Sequence, residues 1–212
     1  MTIQNHWEHV KFKLLAPARV DVRDSGQVVL TCSATGSPAP AVAWYKDGLF
    51  VYHEPDQSLV EDDGSASPGE TVSRLRLACI EAKDAGKYEC RAVAGKQQVS
   101  AVTEVNVVAW DVNLCNERGE PEISVWRPTV MAETGSSVTL PCRADNAGVT
   151  TWTDSKGGSI DNDDRIHVLD TGDLRITRVS WSDMGQYTCT VTNTAGRDVI
   201  HTFLYPLAAP VG

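Results

Sequence analysis

Two short stretches decide the fold of this chain: Asp84–Cys90, DAGKYEC, and Asp183–Cys189, DMGQYTC. Both have the form Asp-x-Gly-x-Tyr-x-Cys, so they are two copies of one motif. In each half of the chain, a cysteine and then a tryptophan precede the motif in the same order: Cys32 and Trp44 first, then Cys142 and Trp152. An internal repeat of this kind indicates two structural units built on one plan.

The spacing within each repeat is typical of an immunoglobulin-type β-sandwich. In that fold, two cysteines form a disulfide between the sheets, a tryptophan packs on it, and a tyrosine two residues before the second cysteine anchors a turn. The predicted core residues are Trp44, Trp152, Tyr88 and Tyr187. Alternating apolar residues, as in Val28-x-Leu30-x-Cys32, support the strands. The sequence therefore predicts an all-β protein of two tandem sandwiches.

The length of the chain fits this interpretation, because one such sandwich needs about 100 residues and the chain has 212. We expect the first domain at residues 8–110, a linker at 111–119 and the second domain at 120–208. Pro17 and Pro128 are expected to interrupt the first strand of each half where it crosses between sheets, because proline cannot donate to a ladder.

The six cysteines indicate the compartment. None occurs in a Cys-x-x-Cys pair, and none joins a histidine cluster with zinc-ligand spacing. Disulfides in an oxidising, extracellular environment are therefore favoured over metal or redox chemistry, and the protein is expected to be secreted.

The repeat selects two disulfides, Cys32 with Cys90 and Cys142 with Cys189. Cys79 and Cys115 remain. Cys79 lies at the end of the predicted strand that holds Leu75 and Leu77, and Cys115 lies just beyond the last predicted strand of the first half. Because these two strands end at the same pole of a sandwich, the two cysteines are expected to form a third bridge.

Charge and motif content argue against several classes of function. The net charge is -9, and an acidic surface is repelled by phosphate backbones, so no nucleic-acid partner is expected. No run of 18 apolar residues occurs, so no membrane insertion is expected. The five histidines are scattered, without a zinc-protease, serine-hydrolase or phosphate-loop motif. We therefore expect no catalytic residues, no metal, no cofactor and no enzyme.

Further stretches make a family resemblance specific. Residues 38–48, PAPAVAWYKDG, resemble intermediate-set (I-set) immunoglobulin domains. The second half carries VLDTGDL at 168–174, WSDMG at 181–185 and TFLYP at 202–206. Together these resemble the small secreted two-immunoglobulin-domain proteins of invertebrates, which include the insect imaginal morphogenesis protein late two and the nematode zwei-immunoglobulin proteins.

The resemblance implies two alternative functions. The insect members imply capture of insulin-like and insulin-like-growth-factor peptides, which limits signalling through the receptor. The nematode members imply a secreted neural adhesion or axon-maintenance protein that acts through contacts between immunoglobulin domains, including self-association. The resemblance also implies an ion pair between Arg165 and Asp183.

Tryptophan supplies the candidate binding residues, because only two of the six tryptophans are needed by the two cores. Tryptophan is enriched at binding hot spots. In the predicted strand 123–126, alternation places Ile123 and Val125 on one face and the indole of Trp126 on the other. The predicted hormone-binding residues are Trp126, Ile123, Val125, Phe12 and Trp110.

Overall fold

The computed structural model describes residues 8–51, 67–108, 119–145, 148–160 and 164–209. In these residues the regular structure is β-strand apart from two short 3-10 turns, Ala82–Asp84 and Trp181–Asp183. The described residues of the first half form eight strands: β1 (His9–Leu14), β2 (Arg19–Arg23), β3 (Val28–Ser37), β4 (Ala41–Lys46), β5 (Leu49–Val51), β6 (Gly69–Leu77), β7 (Gly86–Ala94) and β8 (Gln97–Val108). The predicted all-β class is confirmed.

The second half repeats this plan with nine described strands. They are β9 (Glu122–Trp126), β10 (Thr129–Glu133), β11 (Val138–Leu140), β12 (Cys142–Asp145), β13 (Val149–Thr153), β14 (Ile166–Val168), β15 (Leu174–Ile176), β16 (Gly185–Thr192) and β17 (Arg197–Leu207). Residues 52–66 and the predicted linker residues 111–118 lie outside the described residues. The domain boundaries therefore stay a prediction.

The first sandwich packs the sheet β2-β8-β7-β4-β5 against the strands β1, β3 and β6. The chain changes sheet after β1, which pairs with β3, so that β2 runs parallel to β8. Pro17 lies between β1 and β2, as the sequence predicts for a strand that breaks and crosses. Alternate side chains of the facing strands point inwards and form the core, which includes Leu30, Leu75 and Val105.

The second sandwich has the same crossing, because β9 and β10 flank Pro128 and belong to different sheets. Its outer sheet has the order β10-β17-β16-β13, with β10 parallel to β17. The facing strands are β11-β15-β14, together with β9 and β12. Pro141 separates β11 from β12, since its missing N–H cannot continue the ladder.

A single sheet joins the two sandwiches. The order β1-β3-β6-β9-β12 places three strands of the first half and two of the second in one hydrogen-bonded sheet. The joining pair is β6 with β9, where Val72 lies opposite Trp126 and Ser73 opposite Val125. The two domains are therefore connected by backbone pairing as well as by the linker.

The two cores lie on opposite faces of this shared sheet. Cross-strand partners place their side chains on the same face, and Trp126 pairs with Val72 on one side and Cys142 on the other. Cys142 belongs to the second core. The neighbour of Val72, Ser73, faces the first core, where it accepts a hydrogen bond from Trp44. Because side chains alternate along a strand, Val72 and Trp126 face away from the first core.

Candidate protein-binding surfaces

The predicted binding patch on β9 requires a correction. Ile123 is 0% exposed and belongs to the second core, so its side chain is closed to a ligand in this conformation. The reason is a bulge: Ser124 is an extra residue between the pairs Val125–Arg143 and Ile123–Ala144. The bulge changes the phase of the alternation, so Ile123 and Trp126 face the same core and only Val125 faces the other side.

Phe12 and Val125 do not join Trp126 on one surface. Trp126 is half-buried and packs on the second core. Phe12 packs on the first core, and therefore lies on the opposite face of the shared sheet. Trp110 lies outside the described residues. The four described residues of the predicted set therefore do not form one exposed patch.

The predicted core residues occupy structural positions. Trp44 and Trp152 are buried, and their indole N–H groups donate to Ser73 Oγ at 3.1 Å and to the Gly172 carbonyl at 2.8 Å. The hydroxyl of Tyr88 donates to the Asp84 carbonyl at 2.8 Å, and that of Tyr187 to the Asp183 carbonyl at 3.0 Å. Burial is the main cause that raises the pKa of both phenols to about 12.

The structure contains the two disulfides that the repeat selects, Cys32–Cys90 and Cys142–Cys189. Cys79 is also disulfide-bonded. Its expected partner, Cys115, lies outside the described residues. The third pairing therefore stays a prediction.

Arg165 and Asp183 form the ion pair that the family resemblance implies, with two hydrogen bonds at 2.8 and 2.9 Å. Burial alone would raise the pKa of Asp183. Hydrogen bonds from Arg165 and from Ser180 outweigh the burial, so the pKa of this carboxyl is lowered. The pair closes one end of the second sandwich and is structural.

A network of charged groups surrounds the pairing of β6 with β9. The guanidinium of Arg74 lies over the indole of Trp126, 4.5 Å from the ring centre, and donates to Asp198 Oδ2 at 3.3 Å. The same carboxylate oxygen accepts the backbone N–H of Ile123 at 2.8 Å. Arg76 donates to the backbone carbonyl of Glu120 at 3.2 Å. Two arginines of the first sandwich thus contact the second.

Beside this network lies a cleft of about 260 Å³ on the side of the shared sheet that faces away from the first core. We call it the interdomain cleft. It is lined by Gln27, Val29, Arg74, Arg76, Glu120, Pro121, Glu122, Arg197 and Asp198. Burial is the main cause that raises the pKa of Glu122, although Arg74 and Arg76 oppose the shift. The cleft is polar, and both signs of charge line it.

A second surface is the outer side of the sheet β10-β17-β16-β13, which we call the open face. Its side chains alternate with those of the second core. They are Thr129 and Met131 of β10, Val199, His201, Phe203 and Tyr205 of β17, Gln186, Thr188, Thr190 and Thr192 of β16, and Val149, Thr151 and Thr153 of β13. None of these thirteen residues is an acid, a lysine or an arginine.

Neither surface follows from the sequence pattern. Arg74 and Arg76 alternate with buried residues on β6, which predicts only a solvated row on an outer face. The alternation along 197–205 could have indicated the open face, because its outward positions carry Val199, Phe203 and Tyr205 where charged residues are usual.

In the described parts of the chain, no group of histidine, cysteine, aspartate and glutamate could hold a metal ion. No helix among the described residues is long and apolar enough to cross a membrane.

Comparison with known proteins agrees with the geometry. The immunoglobulin-domain family model matches residues 13–93 and 120–193. Zwei Ig domain proteins zig-2 and zig-4 of Caenorhabditis elegans are 33% and 32% identical to this chain, over 85% and 93% of it and over 79% and 81% of their own lengths. Neural/ectodermal development factor IMP-L2 of Drosophila melanogaster is 29% identical over 93% of this chain and 77% of its own length.

A crystal structure of IMP-L2 superposes on this structure with a TM-score of 0.81 at 25% identity, covering 95% of this chain and 96% of that one. The superposition extends over both sandwiches. The likeness therefore includes their relative arrangement as well as the fold of each.

Proposed function

Because the chain belongs to the two-immunoglobulin-domain proteins of invertebrates, we propose that it is a secreted binding protein that captures an insulin-like peptide. Capture keeps the peptide from its receptor by competition and requires no catalysis. The disulfides of both sandwiches support an extracellular location, since such bonds persist in oxidising compartments.

The observation that carries this proposal is the interdomain cleft. A binding site between domains is a common location, because two surfaces together offer a concave contact. The volume of about 260 Å³ accommodates one large side chain of a partner, and an anchor side chain in a pocket is the usual centre of a protein–protein hot spot. The likeness to IMP-L2 over both sandwiches supports a site that depends on their arrangement.

The lining of the cleft suggests the chemistry of the anchor. Arg197 and Glu122 present opposite charges, and Val29 provides an apolar wall that is 40% exposed. A polar side chain with an apolar stem fits these groups, since its stem packs on Val29 while its head bonds to a charged group. Contacts around the cleft then exclude water from the anchor.

The experiment measures binding of insulin and a panel of insulin-like peptides by calorimetry. Val29→Lys places a long cationic side chain in the cleft and is expected to weaken binding at least tenfold. The matched control is Val102→Lys, an exposed valine on the outer face of the other sheet of the first sandwich, which should bind like wild type.

The results separate two kinds of error. If wild type binds none of the peptides at micromolar concentration, capture of insulin-like peptides is wrong. If wild type binds and Val29→Lys binds equally well, capture stands and the interdomain cleft is not the site. Circular dichroism of both variants verifies that they remain folded.

The alternative, neural adhesion or axon maintenance through contacts between immunoglobulin domains, is favoured by a different observation. The open face of the second sandwich is uncharged and accessible. The related protein IMP-L2 is, by its name, a neural/ectodermal development factor. If the protein self-associates and binds none of the peptides in the panel, this alternative is supported.

A further inference from the structure

The open face differs from the corresponding face of the first sandwich. There, the outer side of β2-β8-β7-β4-β5 carries charged residues: Arg19, Asp21 and Arg23 of β2, Glu104 of β8, and Lys87, Glu89 and Arg91 of β7. Two ion pairs lie on it, Arg91 with Glu89 at 2.8 Å and Arg19 with Asp21 at 3.3 Å. Equivalent sheets of one chain therefore present a charged and an uncharged surface.

Solvation alone does not explain this difference. The outward positions of a half-exposed antiparallel sheet are usually polar and often charged. On the open face, charge is confined to the ends, at Arg197 and Glu133, while Val149 is 69% exposed and Phe203 and Tyr205 are about 40% exposed. The face consists mainly of threonine and valine, with one tyrosine, one phenylalanine and one methionine, and depletion of charge is typical of an interface core.

Two side chains of β16 contact His201 of β17 on this face. Thr188 Oγ1 lies 3.0 Å from His201 Nδ1, and Gln186 Nε2 lies 3.3 Å from the same atom. Threonine and valine are short and stiff at χ1, so little side-chain entropy is lost when they are covered. A sheet face covered by short side chains fits another sheet, since sheets pack face to face at about 10 Å.

We propose that the open face is the interface between two copies of this chain, paired around a twofold axis. In a twofold contact each patch meets itself, so a patch with charge of one sign repels its copy. The chain carries a net charge of -9, so two copies repel each other over most orientations. The open face brings no carboxylate into the centre of the contact, so two acidic chains can meet there.

The register of β17 gives the contact a specific form. The twofold axis lies between the two sheets, parallel to them, perpendicular to the strands and near His201. Val199 of one copy then lies opposite Phe203 of the other. Strand spacing of about 4.8 Å and a rise of about 3.3 Å per residue give the face roughly 19 by 23 Å. That footprint is of the size seen in small, reversible interfaces, so the pair exchanges with monomers.

Sedimentation velocity of the full chain, from about 1 μM to about 1 mM, tests this inference. Wild type is expected to shift from monomer to dimer across the range. Val199→Lys places one cation of each copy under the uncharged face of the other and should raise the dissociation constant at least tenfold, because burying an unpaired charge at an interface is strongly unfavourable. Val102→Lys, the same change on the charged face of the first sandwich, should dimerise like wild type.

A second variant keeps the inference testable if the first does not fold. If Val199→Lys loses its cooperative melting transition, Thr190→Lys on the neighbouring strand β16 replaces it, with the same expectation. Wild type that stays monomeric up to about 1 mM overturns the inference. The inference is also wrong if Val199→Lys is folded and dimerises like wild type. It is equally wrong if wild type dimerises but the control Val102→Lys does not. If wild type is monomeric and Val199→Lys instead weakens binding of insulin, the face contacts the peptide, and the pairing of two copies is wrong.

Discussion

The guanidinium of Arg74 lies 4.5 Å from the ring centre of Trp126, so a cation of the first sandwich covers an indole of the second. The two residues belong to β6 and β9, the strands whose pairing joins the sandwiches into one sheet. Arg74 also bonds to Asp198 across the same junction. This contact is the side-chain counterpart of the backbone pairing, and it determines how each of the two residues responds to substitution.

Arg74→Ala is expected to loosen the junction. It removes the cation–π contact and a partly exposed ion pair, together worth about 1–2 kcal/mol of unfolding free energy. Urea denaturation measures this loss, and small-angle scattering should show a broader range of interdomain distances. The control is Arg19→Ala, which removes an exposed pair with Asp21 inside the first sandwich. Equal stability and scattering for both variants would show that Arg74 does not support the junction.

Trp126→Ala is expected to lower stability rather than to act only on binding. The indole packs on the second core, so its removal leaves a partly open cavity that costs about 2 kcal/mol. Trp181→Ala is the control, because Trp181 is 53% exposed and its loss should change stability by less than about 0.5 kcal/mol. Thermal melting decides the question. A Trp126→Ala variant that melts with wild type would mean that the indole contributes nothing to the core.

The third disulfide is expected to join Cys79, which is bonded in the structure, to Cys115. Peptide mapping under non-reducing conditions should yield one cross-linked fragment that contains both residues. The double variant Cys79→Ser/Cys115→Ser should lose about 4 kcal/mol, because the unfolded chain regains the entropy of the open loop. A free thiol at either position in the wild-type protein contradicts this pairing.

Glu122→Gln is expected to stabilise the protein at neutral pH. Burial raises the pKa of Glu122 in the folded state, so stability is lost as pH rises from the unfolded pKa through the folded one. A neutral amide removes that loss. The gain in melting temperature should therefore appear at pH 7 and vanish in acid, where the carboxyl is protonated in both states.

Glu89→Gln is the control with the opposite sign. A hydrogen bond from Arg91 lowers the pKa of Glu89, so its carboxylate stabilises the fold above the unfolded pKa. Its substitution should lower the melting temperature at pH 7 and have little effect in acid. If Glu122→Gln also lowers the melting temperature at pH 7, the arginines near Glu122 outweigh its burial.

The sequence by itself determined the repeated sandwich. The cysteine, tryptophan and tyrosine positions are each required by the inside of one unit, and the side-chain alternation of the core strands follows from local backbone geometry. Trp44 and Tyr88 therefore occupy the positions that the motif predicts, and so do Trp152 and Tyr187. Pro17 and Pro128 mark the strand crossings for a similarly local reason, the missing N–H of proline.

Only the tertiary structure decided how the two units meet and which surfaces they leave open. Strict alternation predicts Ile123 and Trp126 on opposite faces, but the extra residue Ser124 shifts the phase, and a bulge is visible only when the partner strand β12 is known. The pairing of Val72 with Trp126 joins residues distant in sequence, and no local pattern specifies which edge strand of one sandwich meets the other. The interdomain cleft depends on that pairing, because its walls come from both halves of the chain.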